Sequence, residues 1–134
     1  MLKDLLAEGF GEKEDLNCSE KILRGANIEY DLGLDDAALK MAAGFGGGMA
    51  IEDKCGALTA AIMVLGRLFV KENAQWSPKL KELTKELFGK YEAEMGSIDC
   101  APLKKAHRTE EVKCKYVILK AAEILDEIVS REMA

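Results

Sequence analysis

Residues 55–70 read CGALTAAIMVLGRLFV, the most apolar stretch of the chain, interrupted by Arg67. At 16 residues it is short of the roughly 20 apolar residues needed to cross a bilayer. It therefore reads as a buried helix. It is apolar nearly all round and carries small residues at Gly56, Ala57, Ala60 and Ala61. A helix of that kind sits centrally in a bundle, where small residues let neighbours come close. The same surface would serve a homodimer interface.

The flanking sequence reads as further helices. No run of β-branched or aromatic residues alternates with polar ones for more than a few positions. A first amphipathic segment spans about Met1 to Glu8 and stops at Gly9. Asn17 and Glu20 have the spacing of a capping box and open a second helix that runs to about Tyr30. Asp35-Asp36 start a short third helix ending at Ala43, and the 55–70 stretch forms the fourth, reaching about Lys71. Ser77-Pro78 place a cap and an N1 proline before a fifth, which ends at Met95-Gly96. Ser97 to His107, with Pro102, reads as loop, and Thr109-Glu110-Glu111 open a final helix of about 22 residues. The expectation is an all-α, single-domain bundle of about six helices over residues 1–134, with a central apolar helix.

Composition narrows the function classes. With 24 acidic against 19 basic residues, the net charge is −5 and no Lys/Arg cluster stands out. That argues against nucleic acid and anionic membrane, both of which demand concentrated positive charge. The first ten residues, MLKDLLAEGF, lack a continuous apolar core and do not make a secretory signal. A protein not embedded in the membrane, in the cytoplasm, is expected. Thiols there stay reduced unless they bind metal or cycle, so a static disulfide framework is not expected.

Attention then falls on the four cysteines, Cys18, Cys55, Cys100 and Cys114. Cys18 and Cys55 fall in the opening turns of the second and fourth helices. Cys114 starts the apolar stripe Cys114, Val117, Ile118, Ala121, Leu125, Ile128 near the beginning of the last helix. A helix N-terminus carries about half a positive charge, which predicts thiol pKa values below the free value of about 8.5. Four thiolates could form an all-sulfur site for zinc or an iron–sulfur cluster. Buried cysteines can equally be small hydrophobes. The intervals of 36, 44 and 13 residues contain no C-x-x-C, which removes the signatures of zinc ribbons and thioredoxin-like sites.

The run Gly44-Phe45-Gly46-Gly47-Gly48 precedes Cys55. It lacks the preceding strand and the Gly-Lys-Ser/Thr ending of a phosphate loop, so no nucleotide is expected. Close backbone approach to an anion such as a thiolate or a bridging sulfide explains it better, with Gly44, Gly46, Gly47, Gly48 and Gly56 as backbone lining. His107, the single histidine, reads as a surface loop residue, and Trp76 as a cap on the core at the start of the fifth helix.

The order Asn17-Cys18, Gly44-Phe45-Gly46-Gly47-Gly48-Met49, Cys55-Gly56-Ala57, Cys100, Cys114 resembles the C_GCAxxG_C_C family of proteins proposed to be redox-active. The likeness runs from about Leu16 to Val129 and includes Gly96-Ser97-Ile98-Asp99-Cys100; Ala60 stands where the motif's closing glycine would be. The resemblance implies a cytoplasmic helical protein with a redox or metal role at the four cysteines. Some relatives carry covalent haem through a C-x-x-C-H, which this chain lacks, so no haem is expected. Members are often encoded near transporters, which implies a transport-linked partner. The leading expectation is an iron–sulfur cluster, [2Fe–2S], for electron transfer or redox sensing with an unidentified redox partner. A metal-free thiol–disulfide oxidoreductase stands as the alternative, and a helical interaction module with structural zinc or no metal as the third. The sequence does not decide whether the protein is an enzyme.

Overall fold

The computed structural model describes residues 1–133. Among them the chain forms seven α-helices and no strand: α1 (Leu2–Ala7), α2 (Cys18–Glu29), α3 (Asp36–Lys40), α4 (Gly56–Phe69), α5 (Pro78–Met95), α6 (Cys100–His107) and α7 (Lys115–Met133). None of these is long and apolar enough to cross a membrane.

Local chemistry sets most of the boundaries. The Asn17 side chain accepts from the Glu20 amide at 3.0 Å while Glu20 accepts from the Asn17 amide at 2.9 Å, closing a capping box on α2. Asp35 caps α3 by accepting from Ala38 at 2.8 Å. Pro78 occupies the first position of α5, and Gly96, at φ 86°, ends it.

Three expectations are corrected. Residues 100–107 are helical rather than loop, which makes seven helices instead of about six. Pro102 is the third residue of α6, where a proline removes no intrahelical bond, so it does not break the helix. The last helix starts at Lys115, since Thr109 and Lys113 pair through their backbones in a tight turn before it. Trp76 is 71% exposed and caps nothing; it lies in a single 3₁₀ turn before α5.

The core follows from helical periodicity. α5 buries Leu83, Leu87, Tyr91 and Met95, spaced four apart on one face. α7 buries a stripe from Val117 to Val129, and α4 packs against α2, α5 and α7. Ala57, Ala60 and Ala61 in α4 have no exposed surface, so their small size brings the neighbouring helices in. Each fully buried leucine, such as Leu87 or Leu125, contributes about 1.5–3 kcal/mol of burial. At the far end, Asp126 of α7 accepts from the Leu2 and Lys3 amides at 3.0 and 2.9 Å and fixes α1 to the bundle.

Candidate redox site

The cysteines are brought together by helix beginnings. Cys18 is the first residue of α2, Cys55 the N-cap of α4 and Cys100 the first residue of α6. Cys114 stands just before α7, its carbonyl accepting from the Ile118 amide at 3.0 Å. Cys100, read from sequence as a loop residue, thus shares the placement of the other three. All four line one cavity of about 40 Å³, together with Gly47, Gly56, Leu103, Lys104 and Val117. By that measure a water needs about 10–15 Å³, so the space suits a group of several atoms. All four are free thiols. Among the described residues, no three His, Cys, Asp or Glu side chains are gathered closely enough to hold a single metal ion.

Backbone, not side chains, completes the walls. A Cβ on Gly56 would stand 2.7 Å from the Cys18 sulfur and 2.6 Å from the Phe45 carbonyl oxygen, so only glycine lets these meet. Gly48, at φ +64°, would put a Cβ 2.7 Å from the Cys100 Cβ. Gly46 abuts the Asn17 side chain, whose amide also donates to the Ala43 carbonyl at 2.9 Å. The glycine run is thereby tied to the start of α2. Gly47 faces the cavity itself, whereas Gly44 has no atom within 4 Å of where its Cβ would be.

Two short bridges lock the segment carrying Cys55 to the one carrying Cys100. The Cys100 amide donates to the Asp53 carbonyl at 2.6 Å and the Cys55 amide to the Ile98 carbonyl at 2.8 Å. The Lys54 ammonium adds a 2.6 Å bond to Asp99. Between Gly48 and this clamp the chain turns left-handed at Met49, Ala50 and Glu52, with φ of 63°, 64° and 56°. Left-handed backbone costs an L-residue about 1–2 kcal/mol, so the clamp holds strain beside the cavity.

The electrostatics overturn the expected lowering of the thiol pKa at Cys55 and Cys114, and Cys100 shifts upward as well. Burial pushes Cys55 up to about 12, with the Cys18 sulfur adding to the rise. The Ala57 and Leu58 amides of α4 pull the other way and lose. Burial likewise raises Cys100 and Cys114, against the lowering influence of Lys104 on the first and chiefly Arg108 on the second. In an apolar cavity shared with other sulfurs, half a helix charge does not offset desolvation. The Cys55, Cys100 and Cys114 thiols are therefore held protonated at neutral pH.

Sequence reading missed several neighbours of the sulfurs. Lys104 follows Cys100 by four residues, a same-face spacing that becomes legible only once α6 is known to be a helix. The Arg108 charge acts to lower the Cys114 thiol pKa, and the buried Tyr91 hydroxyl donates to the carbonyl of the cavity residue Val117 at 3.0 Å. His107 ends α6, half-buried, with Nε2 3.3 Å from the Met95 carbonyl oxygen; it is not among the cavity residues.

No curated protein and no solved structure matches the chain. The family model described as "Putative redox-active protein (C_GCAxxG_C_C)" matches residues 16–128, a span that holds all four cysteines and the glycine run. The chain belongs to that family.

Proposed function

We propose that Cys18, Cys55, Cys100 and Cys114 hold an iron–sulfur cluster, [2Fe–2S], for electron transfer or redox sensing. The observation that carries the reading is the convergence of four thiols from four helix beginnings on one cavity with room for several atoms. A cluster supplies one-electron chemistry, and all-thiolate ligation is its usual donor set. Ligation would release the thiol protons to solvent, against the cost that burial sets on the Cys55, Cys100 and Cys114 thiolates, and the metal charge would offset that cost. Gly47 and Gly56 line the space without side chains, and Lys104 would place a positive charge beside an anionic centre.

A second reading, thiol–disulfide exchange without metal, is favoured by the four free thiols sharing one cavity. Two protons and two electrons would then leave a pair of cysteines as one S–S bond forms, with an external disulfide or a thiol oxidase as acceptor. Anaerobic purification separates the two. The cluster reading predicts brown protein with iron and acid-labile sulfide. Colourless protein that takes up neither on reconstitution, yet forms an intramolecular disulfide of defined potential, would give the case to thiol exchange.

A further inference from the structure

A second cavity, of about 620 Å³, shares no lining residue with the cysteine cavity. It lies between α2, the stretch from Leu34 to Phe45, and α4. Its volume falls within the range of about 300–1,000 Å³ typical of small-molecule sites. Leu23 is buried in its lining, Leu34, Phe45 and Met63 are half-buried there, and Met41 is 70% exposed. The walls are pinned by side-chain hydrogen bonds. Asn27 accepts from the Leu34 amide at 2.9 Å and donates to the Leu34 carbonyl at 3.3 Å. The buried Ser19 hydroxyl donates to the Ala42 carbonyl at 2.6 Å. A preformed site has little left to order when it binds.

Arg67 is the one charged residue on this lining. It is exposed and stands in the last turn of α4, where the helix dipole suits a cation. Arg24 and Arg131 have carboxylate partners, whereas Arg67 makes no ion pair among the described residues. The acids that flank the lining on α3 are engaged elsewhere. Asp35 accepts from the Ala38 amide, and Asp36 pairs with Arg24 and Lys40.

We propose that this groove binds a small amphipathic carboxylate, with its apolar body against Leu34, Met41, Phe45 and Met63 and its carboxylate on the Arg67 guanidinium. A guanidinium presents a fork of N–H donors that matches a carboxylate in two parallel bonds. The lining offers that fork no acid, so the complementary anion comes with the occupant. Unbranched methionines adapt to the shape of an aliphatic or aromatic body. Covering Met41 also removes an exposed apolar side chain from water. A second copy of this chain fits the groove less well. A two-fold dimer through this face would bring two Arg67 charges into the interface, with no carboxylate on either lining to receive them. A buried charge without a partner is costly.

Occupancy of this groove is independent of what the cysteines hold. Full-length protein with isotope-labelled methionine methyl groups, titrated with decanoate and followed by NMR, should bind about one molecule per chain. The Met41 and Met63 methyls should shift, and those of Met1, Met49, Met95 and Met133 should not. Decanol and decyltrimethylammonium carry the same tail with a neutral and a cationic head. Both should bind about tenfold more weakly than decanoate or worse. Arg67→Gln should weaken decanoate about tenfold and leave decanol unchanged. Decanoate held no more tightly than decanol, or equally well by the wild type and Arg67→Gln, would overturn the proposal. So would shifts confined to the other four methionines. A stable dimer in which decanoate leaves Met41 and Met63 unmoved would overturn it too, by giving the groove to a second copy. Ala38→Leu tests the cavity apart from the charge, because Ala38 is on the lining and a larger side chain there fills the space. It should abolish decanoate binding with Arg67 in place, and unaltered binding would count against the groove.

Discussion

Gly56 and Gly89 are both helical glycines, and their neighbours give them opposite roles. Gly56 sits where the Cys18 sulfur and the Phe45 carbonyl leave no room for a methyl group, whereas nothing stands within 4 Å of a Cβ on Gly89. Gly56→Ala should cost about 1–3 kcal/mol through overpacking and displace the Cys18 sulfur from the cavity. Gly89→Ala should instead stabilise the protein by about 1 kcal/mol, since alanine suits a helix interior better. Thermal melts of both variants, with iron content for Gly56→Ala, check the pair. Cys55 makes a second prediction, for metal-free reduced protein. Its folded pKa of about 12 lies well above the ordinary thiol range. The unfolded chain therefore loses that proton first as pH rises, and stability falls between about pH 9 and pH 12. Melting temperatures across that window should decline more steeply for the wild type than for Cys55→Ala; equal slopes would contradict the buried-thiol account.

At the scale of elements, the segment Gly48 to Asp53 carries the clearest conflict between local preference and position. Ala50 has φ 64° with an L side chain, a conformation that glycine adopts without penalty. Ala50→Gly should stabilise the fold by about 1 kcal/mol, raising Tm by a few degrees. Ala50→Val should lower it, because a β-branched residue tolerates positive φ least. Iron content in both variants reads whether the strained turn also shapes the site. The starts of α2, α3 and α5 were legible because Asn17-Glu20, Asp35 and Pro78 act on adjacent backbone, whereas α3 ends at Lys40 rather than at Ala43 and the Ser77 side chain makes no cap. α6 was not legible, since Pro102 signals a break in a helix interior and is harmless in a first turn. The later start of α7 has a similar origin. Thr109 looks like a cap, but its side chain accepts from the Val112 amide at 3.1 Å and serves the turn with Lys113 instead.

Across the whole molecule, the two ends of the chain meet far from the cysteines. Asp126 holds the first two amides of α1 and also accepts from the Tyr30 hydroxyl at 2.5 Å. Asp126→Ala should cost about 2–3 kcal/mol, because three donors lose a charged acceptor. The α1 amides should lose hydrogen-exchange protection while the cavity keeps its thiols; an α1 as protected as before would contradict this role. The site was legible in outline because cysteine is rare and a glycine run has few structural uses. Its convergence was not, since intervals of 36, 44 and 13 residues are closed only by the packing of α2, α4, α6 and α7. Nor was the sign of the thiol pKa shifts, which depends on burial and on the nearness of other sulfurs rather than on helix position.

The central claim is that these four thiols act as one donor set for a redox centre. Anaerobic reconstitution of the wild type and of each Cys→Ser variant, with iron and labile sulfide counted per chain, tests it most directly. The account predicts about two irons and two sulfides in the wild type and a large loss in every one of the four variants. Full iron and sulfide retained in any one of them, or none bound by the wild type, would contradict it.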